Sequence, residues 1–273
     1  MGLFISAVAL AEDNTTLLIN GTTTNIGGSL VIGSTGTNNS LVIINGGSVT
    51  NASATIGSAA TADRNFVIVS NTGSLWFNSN DVVLGSSGAE NRLSILDGGV
   101  VDNNLARVGL SAGAVGNVVL IDGIGSLWNV RNEMRFGENA GFNTLIITNG
   151  GLLVNGAGAF HGAIGVFAGA SNNTVLVTGV GSRWTNNNSV VIGSGANNNT
   201  LTIADGGLVS TPSFLLASSS NTVVVTGSGS MISNSAGGVT VGNGGVDNLL
   251  VEIELVAELQ SLGNLRARDS AVP

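Results

Sequence analysis

The sequence predicts an all-β protein, a single parallel β-solenoid (β-helix) of about ten coils, each with about 25 residues and three short strands. Three observations lead to this fold class. A Gly-Ser-x-Trp phrase recurs along the chain, a strand-like apolar segment recurs with half that period, and glycine-rich corners separate the segments. Repeats of this length bury their apolar side chains by stacking on one another, so one continuous core is expected.

The composition is typical of a folded protein that does not bind nucleic acid. Charged residues make up 9% of the 273 residues and hydrophobic residues 43%, which is the reverse of a disordered chain. The formal net charge is −8 with only 8 Lys and Arg residues, so no basic surface is available for phosphates. Cysteine is absent, which rules out a disulfide framework and a thiolate metal site. No cofactor or metal is expected.

The N-terminus favours export. Leu3 to Leu10 form a short apolar run, and Ala9-Leu10-Ala11 before Glu12 has the small-x-small form of a signal-peptidase site. Residues 1–13 are therefore predicted to be a truncated signal peptide or an N-terminal cap, and the protein is expected at the cell surface or outside the cell. Other apolar runs fall short of the roughly 18 residues that a transmembrane helix needs, so this segment is not expected to insert into a membrane.

Copies of the strand-like segment place the solenoid at residues 14–254. The first and third positions of each copy are apolar, whereas the second and fourth admit Ser, Thr and Glu, which predicts one inward face. The copies begin at Leu17, Leu41, Phe66, Leu93, Val118, Leu145, Val175, Leu201, Val223 and Leu249. In this register an outward aliphatic stripe that would favour lateral self-association contains Val42, Val67, Val119, Ile146 and Leu176.

A glycine corner follows each segment, and two kinds of corner alternate. One is a double glycine, and the other carries the Gly-Ser-x-Trp phrase. Glycine accepts positive φ and allows close backbone approach at such corners. The Asn and Asp residues before the corners are predicted to form turns with their own backbone rather than to bind a cation. They are Asn20, Asn45, Asp97, Asp122, Asn149 and Asp205, with Asp97 and Asp122 expected at equivalent positions of adjacent coils.

The three tryptophans are predicted to lie inside the solenoid. Each follows the variable position of the phrase, and that position includes Arg183, which cannot enter an aliphatic core without a partner. Alignment of the two kinds of corner gives an internal ladder of Val49, Trp76, Val101, Trp128, Leu153, Trp184, Val209 and Ile232. The alternative is an external row of tryptophans that stacks on sugars.

The end of the chain breaks from the repeat. Leu255, Val256, Leu259 and Leu262 have helical spacing before Gly263, which predicts a short capping helix. Residues 255–273 are accordingly predicted to form a C-terminal cap and tail.

Two alternating units carry a family resemblance. One reads apolar-x-apolar-x-Asn/Asp-Gly-Gly or a close variant, as in Ile203 to Gly207, and the other reads Thr-Gly-x-Gly-Ser-x-Trp, as in Thr178 to Trp184. Together they resemble the passenger repeats of bacterial autotransporter adhesins over residues 15–250. The resemblance implies a right-handed β-helix that is displayed outside the outer membrane.

Charge concentrates on the third face of the middle coils. Arg107 and Arg135 share one outward position, Glu133 and His161 share another, and Arg131 has the same outward parity. These five residues are predicted to form a polar patch that contacts a ligand such as an extracellular glycan or matrix protein. No nucleophile is paired with a base among them, so a non-enzymatic surface scaffold or adhesin is the favoured function. A pectinase-like, polysaccharide-processing enzyme and a self-associating structural protein remain alternatives.

Overall fold

The computed structural model describes residues 3–5, 7–156, 162–253, 258–261 and 266–267. Within these ranges all regular elements are β-strands. The strands stack in parallel as a β-solenoid, which confirms the predicted fold class. The coil length varies from 22 residues between the paired Thr200 and Thr222 to 30 between Thr144 and Thr174.

The strands in chain order are β1 (Leu3–Ile5), β2 (Val8–Leu10), β3 (Thr16–Asn20), β4 (Thr23–Ile26), β5 (Leu30–Ile32), β6 (Ser40–Ile44), β7 (Ser48–Asn51), β8 (Ala54–Ile56), β9 (Phe66–Ser70), β10 (Leu75–Asn78), β11 (Val82–Leu84), β12 (Arg92–Leu96), β13 (Val100–Asn103), β14 (Ala106–Val108), β15 (Val118–Asp122), β16 (Leu127–Val130), β17 (Met134–Phe136), β18 (Thr144–Thr148), β19 (Leu152–Asn155), β20 (Gly162–Ile164), β21 (Thr174–Thr178), β22 (Arg183–Asn186), β23 (Ser189–Ile192), β24 (Thr200–Ala204), β25 (Leu208–Ala217), β26 (Thr222–Thr226), β27 (Met231–Asn243), β28 (Leu249–Ile253), β29 (Glu258–Ser261) and β30 (Arg266–Ala267).

The strands form three faces. Face 1 is a ten-stranded parallel sheet of β3, β6, β9, β12, β15, β18, β21, β24, β26 and β28. Face 2 contains the strands after the glycine corners, from β4 through β7 and β10 to β22. Face 3 contains the short strands that follow those of face 2, such as β14 and β17. Near the C-terminal end, β25 and β27 each run through both face 2 and face 3.

The tryptophans lie in the core, as predicted. Trp76, Trp128 and Trp184 are each at most 1% exposed. The strand register pairs each of them with an aliphatic residue in the coils before and after, so the eight-residue ladder predicted from the corners is confirmed. Trp128, for example, lies between Val101 and Leu153.

Hydrogen bonds to buried asparagines satisfy the indole N–H groups. Trp128 Nε1 donates to Asn103 Oδ1 at 2.7 Å, and the other two tryptophans make the same bond to the preceding coil. The serine of the phrase also has a structural role. Ser126 Oγ accepts a hydrogen bond from the backbone N–H of Gly98 at 3.0 Å, which links one kind of corner to the other. The serines of the other Gly-Ser corners accept the same bond from the double-glycine corner of the preceding coil.

A second ladder consists of the asparagines directly before the face 1 strands from β6 onward, and all of them except the last are buried. Its members are Asn39, Asn65, Asn91, Asn117, Asn143, Asn173, Asn199, Asn221 and Asn248. Each side-chain oxygen accepts a hydrogen bond from the backbone N–H of the residue one coil earlier, as Asn143 Oδ1 does from Asn117 at 2.9 Å. These bonds satisfy polar backbone groups that are hidden from water. The glycines at the ends of the face 3 strands make room for this ladder, since a Cβ on Gly137 would overlap the amide of Asn173.

The predicted outward stripe on face 1 was wrong at two positions. Val67 and Val119 are fully buried, because they pair in register with the inward Leu41 and Leu93. Both lie in runs of four apolar residues, so the sequence does not show which alternate side chains face inward. Only the stacking of the strand on the neighbouring coil determines this. The outward column is Leu18, Val42, Ile68, Ser94, Leu120, Ile146, Leu176, Thr202, Val224 and Val251.

The same register corrects the aspartates. Asp122 pairs with Leu96, so Asp97 lies one position beyond the equivalent site. Asp97 has φ of 52°, as expected for a turn, and Asn45, Asn149 and Asp205 share this left-handed conformation. Asp122 and Asn20 instead end strands and accept side-chain hydrogen bonds from Asn149 and Asn45 of the next coil.

The predicted capping helix was also wrong. Residues 258–261, which include Leu259, form strand β29, which pairs in parallel with β27. Leu255, Val256 and Leu262 lie outside the described residues. At the other end, β1 and β2 pair with β4 and β5, and the signal peptide remains a prediction.

Candidate functional site

The structure divides the predicted polar patch into two clusters. Arg107 on β14 and Arg135 on β17 occupy paired outward positions on face 3, as expected. Glu133 lies just before β17, and Arg131 lies just after β16 on face 2. His161 lies outside the described residues.

Arg135 is the centre of the first cluster. Its guanidinium holds Glu133 with two hydrogen bonds of 2.9 and 3.0 Å and donates a third to Glu138 Oε1 at 2.8 Å. These bonds, above all the one to Glu133, raise the pKa of Arg135 above its usual value. Arg107 Nε lies 3.8 Å from the second oxygen of Glu138.

Glu138 is the charged residue of this cluster that sequence reasoning missed. It is only 4% exposed and lies between the two arginines. A signal exists in the sequence. Glu138 follows the glycine at the end of β17, whereas the residue after the corresponding glycine is uncharged at the ends of β8, β11, β14, β20 and β23. A buried carboxylate needs a cation nearby, which explains why two arginines accompany it in this part of face 3.

Arg131 forms the second cluster. Its Nε lies 2.9 Å from Asp102 Oδ1, and one terminal nitrogen donates to the carbonyl oxygens of Asn78 and Ser79 at 2.6 and 3.0 Å. The guanidinium also lies 5.1 Å from the ring centre of Phe77. Arg131 thus connects three successive coils, which is a structural role.

The chemistry of these clusters is mutual neutralisation. Glu133 and Glu138 are both held by Arg135, and Asp102 is held by Arg131, so these carboxylates are engaged in ion pairs. A general base needs an accessible lone pair within reach of its substrate.

Among the described side chains, no group of three or more His, Cys, Asp and Glu residues is arranged to hold a metal ion. No described helix is long and apolar enough to cross a membrane.

Face 2 carries a different feature, an open depression of about 350 Å³ beside the glycine corners. It is lined by Gly125, Ser126, Leu127, Gly150, Leu152, Val154, Gly181, Arg183 and Thr185. Leu127, Leu152 and Arg183 are stacked neighbours in one outward column. Two corner residues next to this lining project into solvent, Ile124 at 88% and Val180 at 86% exposure.

Arg183 differs from the other described arginine side chains. Its side chain is exposed, and its guanidinium makes no hydrogen bond or ion pair within the described part of the chain. The guanidinium groups of Arg64, Arg92, Arg107, Arg131 and Arg135 each have a polar or charged partner. Sequence reasoning used Arg183 only to establish which column faces outward. Its position beside Leu127 and Leu152 provides an unneutralised guanidinium next to an aliphatic surface.

Comparison of the chain with protein-family models, curated proteins and solved structures found no match.

Proposed function

We propose that this chain is a non-enzymatic, exported β-solenoid scaffold that is displayed at a bacterial cell surface like an adhesin passenger and binds an extracellular glycan or matrix component. The observation that carries the proposal is the depression on face 2, where the guanidinium of Arg183 has no partner among the residues that the structure describes. The described members of the predicted polar patch, Arg107, Arg131, Glu133 and Arg135, are engaged in ion pairs within the chain.

The depression suits a sugar-like ligand. Leu127 and Leu152 offer an apolar surface for one side of a sugar ring, while the guanidinium of Arg183 donates hydrogen bonds to hydroxyl or carboxylate oxygens. The exposed Ile124 and Val180 add apolar contact area at the edge. Because the chain has a net charge of −8, an anionic ligand would be held by this local contact rather than by long-range attraction.

The test is saturable binding without turnover. Purified chain is applied to arrays of extracellular polysaccharides and matrix glycoproteins, and Arg183→Leu is compared with the parent chain. Leu is compatible with this column, because Leu152 and Leu208 flank Arg183 in register. We expect at least about tenfold weaker binding, since hydrogen bonds to a charged group contribute about 1.5–3 kcal/mol.

A matched control removes the same charge elsewhere. Arg64 is exposed, and its ion pair with Glu90 spans 3.7 Å at the surface. Its backbone has φ of 56°, which Asn tolerates well, so Arg64→Asn is the control and should bind normally. Equal binding by the parent chain and Arg183→Leu would show that the depression on face 2 is not the binding site.

The same samples test the polysaccharide-processing alternative. Shortening of any polysaccharide that disappears in Arg135→Ala and in His161→Ala would establish an enzyme and contradict the scaffold proposal. The scaffold proposal expects polysaccharide length to be unchanged after prolonged incubation.

A further inference from the structure

The outward surface of face 1 has three parallel columns of side chains, one for each outward position of its strands. The central column is aliphatic at Leu18, Val42, Ile68, Leu120, Ile146, Leu176, Val224 and Val251 and contains Ser94 and Thr202. The column therefore presents a nearly continuous apolar line along the solenoid.

The two flanking columns are mostly uncharged and polar. The first reads Thr16, Ser40, Phe66, Arg92, Val118, Thr144, Thr174, Thr200, Thr222 and Leu249, and the described part of the last reads Asn20, Ile44, Ser70, Leu96, Asp122, Thr148, Thr178, Ala204 and Thr226. Of these described side chains only Arg92 and Asp122 are charged. An apolar centre with polar margins is the usual composition of a protein–protein interface.

The size of this surface fits a stable dimer. Ten strands about 4.8 Å apart and five residues of about 3.3 Å each give a face of about 45 by 16 Å, or roughly 700 Å². A standard interface buries about 800 Å² on each partner. A second copy of the same face would cover the aliphatic column along its whole length.

Charge determines the orientation of the two copies. Arg92 and Asp122 lie in adjacent coils but on opposite flanking columns. Neither makes an ion pair in the described part of the chain: Arg92 Nε donates to Ser94 Oγ at 2.8 Å, and Asp122 Oδ1 accepts from Asn149 at 2.8 Å. Arg92 and Asp122 are therefore the two charges within the described columns, and Asp97 and Asp205 add negative charge at the edge of the last column, where they accept hydrogen bonds from Ser70 and Thr178.

We propose that face 1 binds face 1 of a second copy in a two-fold symmetric dimer with parallel solenoid axes. A two-fold axis along the solenoid places each coil over the same coil of the second copy and reverses the strand direction. The first flanking column then lies over the last one, so Arg92 comes within one coil of Asp122 of the second copy, and the reverse contact forms by symmetry. A two-fold axis along the strands would leave the two charges on opposite edges.

This interface goes beyond the proposed function and lies on a different face from Arg183. Sedimentation velocity of the full chain at increasing concentration should show a monomer–dimer equilibrium. Lysines on the central column, in Leu120→Lys with Ile146→Lys, should raise the dimer dissociation constant by about a hundredfold or more, because they bury charge in an apolar contact. The control Thr50→Lys with Ser210→Lys adds the same charge to the outward side of face 2 and should dimerise normally.

Exchanging the charges of Arg92 and Asp122 tests the orientation of the two copies. Both side chains lie on the outer surface of face 1, so folding of the single chain should not depend on them. Arg92→Asp and Asp122→Arg should each weaken the dimer by about tenfold, and the double swap should restore it, because each single swap opposes like charges. A parent chain that remains monomeric, or lysine pairs on faces 1 and 2 with equal effects, would overturn the dimer. Additive effects in the cycle would overturn the parallel arrangement.

Discussion

The buried asparagine ladder should be a major source of stability, and Asn117→Ala tests this. Asn117 is fully buried, and its Oδ1 accepts a hydrogen bond from the backbone N–H of Asn91 at 2.9 Å. Its Nδ2 donates to the carbonyl oxygen of Ala114 at 2.6 Å and to Asn143 Oδ1 at 3.1 Å. Truncation removes three hydrogen bonds. It leaves the N–H of Asn91 and the carbonyl oxygen of Ala114 without these partners, whereas Asn143 Oδ1 still accepts from the backbone N–H at position 117.

The size of the effect follows from those orphaned groups. Each buried polar group left without a partner costs about 1–3 kcal/mol, and two groups are affected, so Asn117→Ala should lower the free energy of unfolding by about 2–6 kcal/mol. The measurement is urea denaturation followed by far-ultraviolet circular dichroism. Solenoids can unfold in segments, so a new early transition is an equivalent result.

The matched control is Asn187→Ala, because Asn187 is exposed. This change should alter the free energy of unfolding by no more than about 0.5 kcal/mol. If the two variants unfolded at the same urea concentration, the ladder would have no special role in stability.

Three further predictions concern other parts of the solenoid. Trp128→Phe should lower the free energy of unfolding by about 1–3 kcal/mol, because Asn103 Oδ1 loses its indole donor. Denaturation compares it with Leu75→Val, on the outward side of face 2. Gly137→Ala should destabilise the chain by about 2 kcal/mol or more, because it combines positive φ with overlap on Asn173. Gly46 also has positive φ, but the space around its Cβ is open, so Gly46→Ala should cost only about 1 kcal/mol. Thermal unfolding compares the two variants. Arg135→Ala should cost about 2–4 kcal/mol by leaving Glu138 buried beside a more distant cation. Since the pKa of Arg135 is raised, its stabilisation is fully present below its unfolded pKa and is lost only at strongly alkaline pH. Denaturation at pH 6 and pH 9 should therefore give the same loss, and a loss confined to one pH would contradict this.

The sequence was most informative where a residue could occupy only one side of a strand. Arg183 had to face outward, and this one residue established that the tryptophans of the same corners face inward. It was least informative in apolar runs such as Phe66 to Val69, where both faces look alike and the register depends on the neighbouring coil.

Long-range stacking also explains the other differences. The leucine spacing after residue 254 suits a helix, but residues 258–261 form a strand against β27 instead. The asparagine ladder has a visible signal, an Asn directly before each strand of face 1 from β6 onward, but its role appears only when the coils are superposed. For the candidate site, the pairing of Arg107 with Arg135 was predictable from the repeat, whereas their neutralisation by Glu138 depends on how the chain turns after Gly137.

Tryptophan fluorescence tests most directly whether the Gly-Ser-x-Trp corners face inward and leave ligand binding to the outer faces. All three tryptophans of the chain belong to the internal ladder, so the emission reports only on those corners. The folded chain should emit at short wavelength, resist quenching by acrylamide and shift to longer wavelength only on unfolding. Emission from the folded chain at the wavelength of free tryptophan in water, with full access to the quencher, would contradict this arrangement.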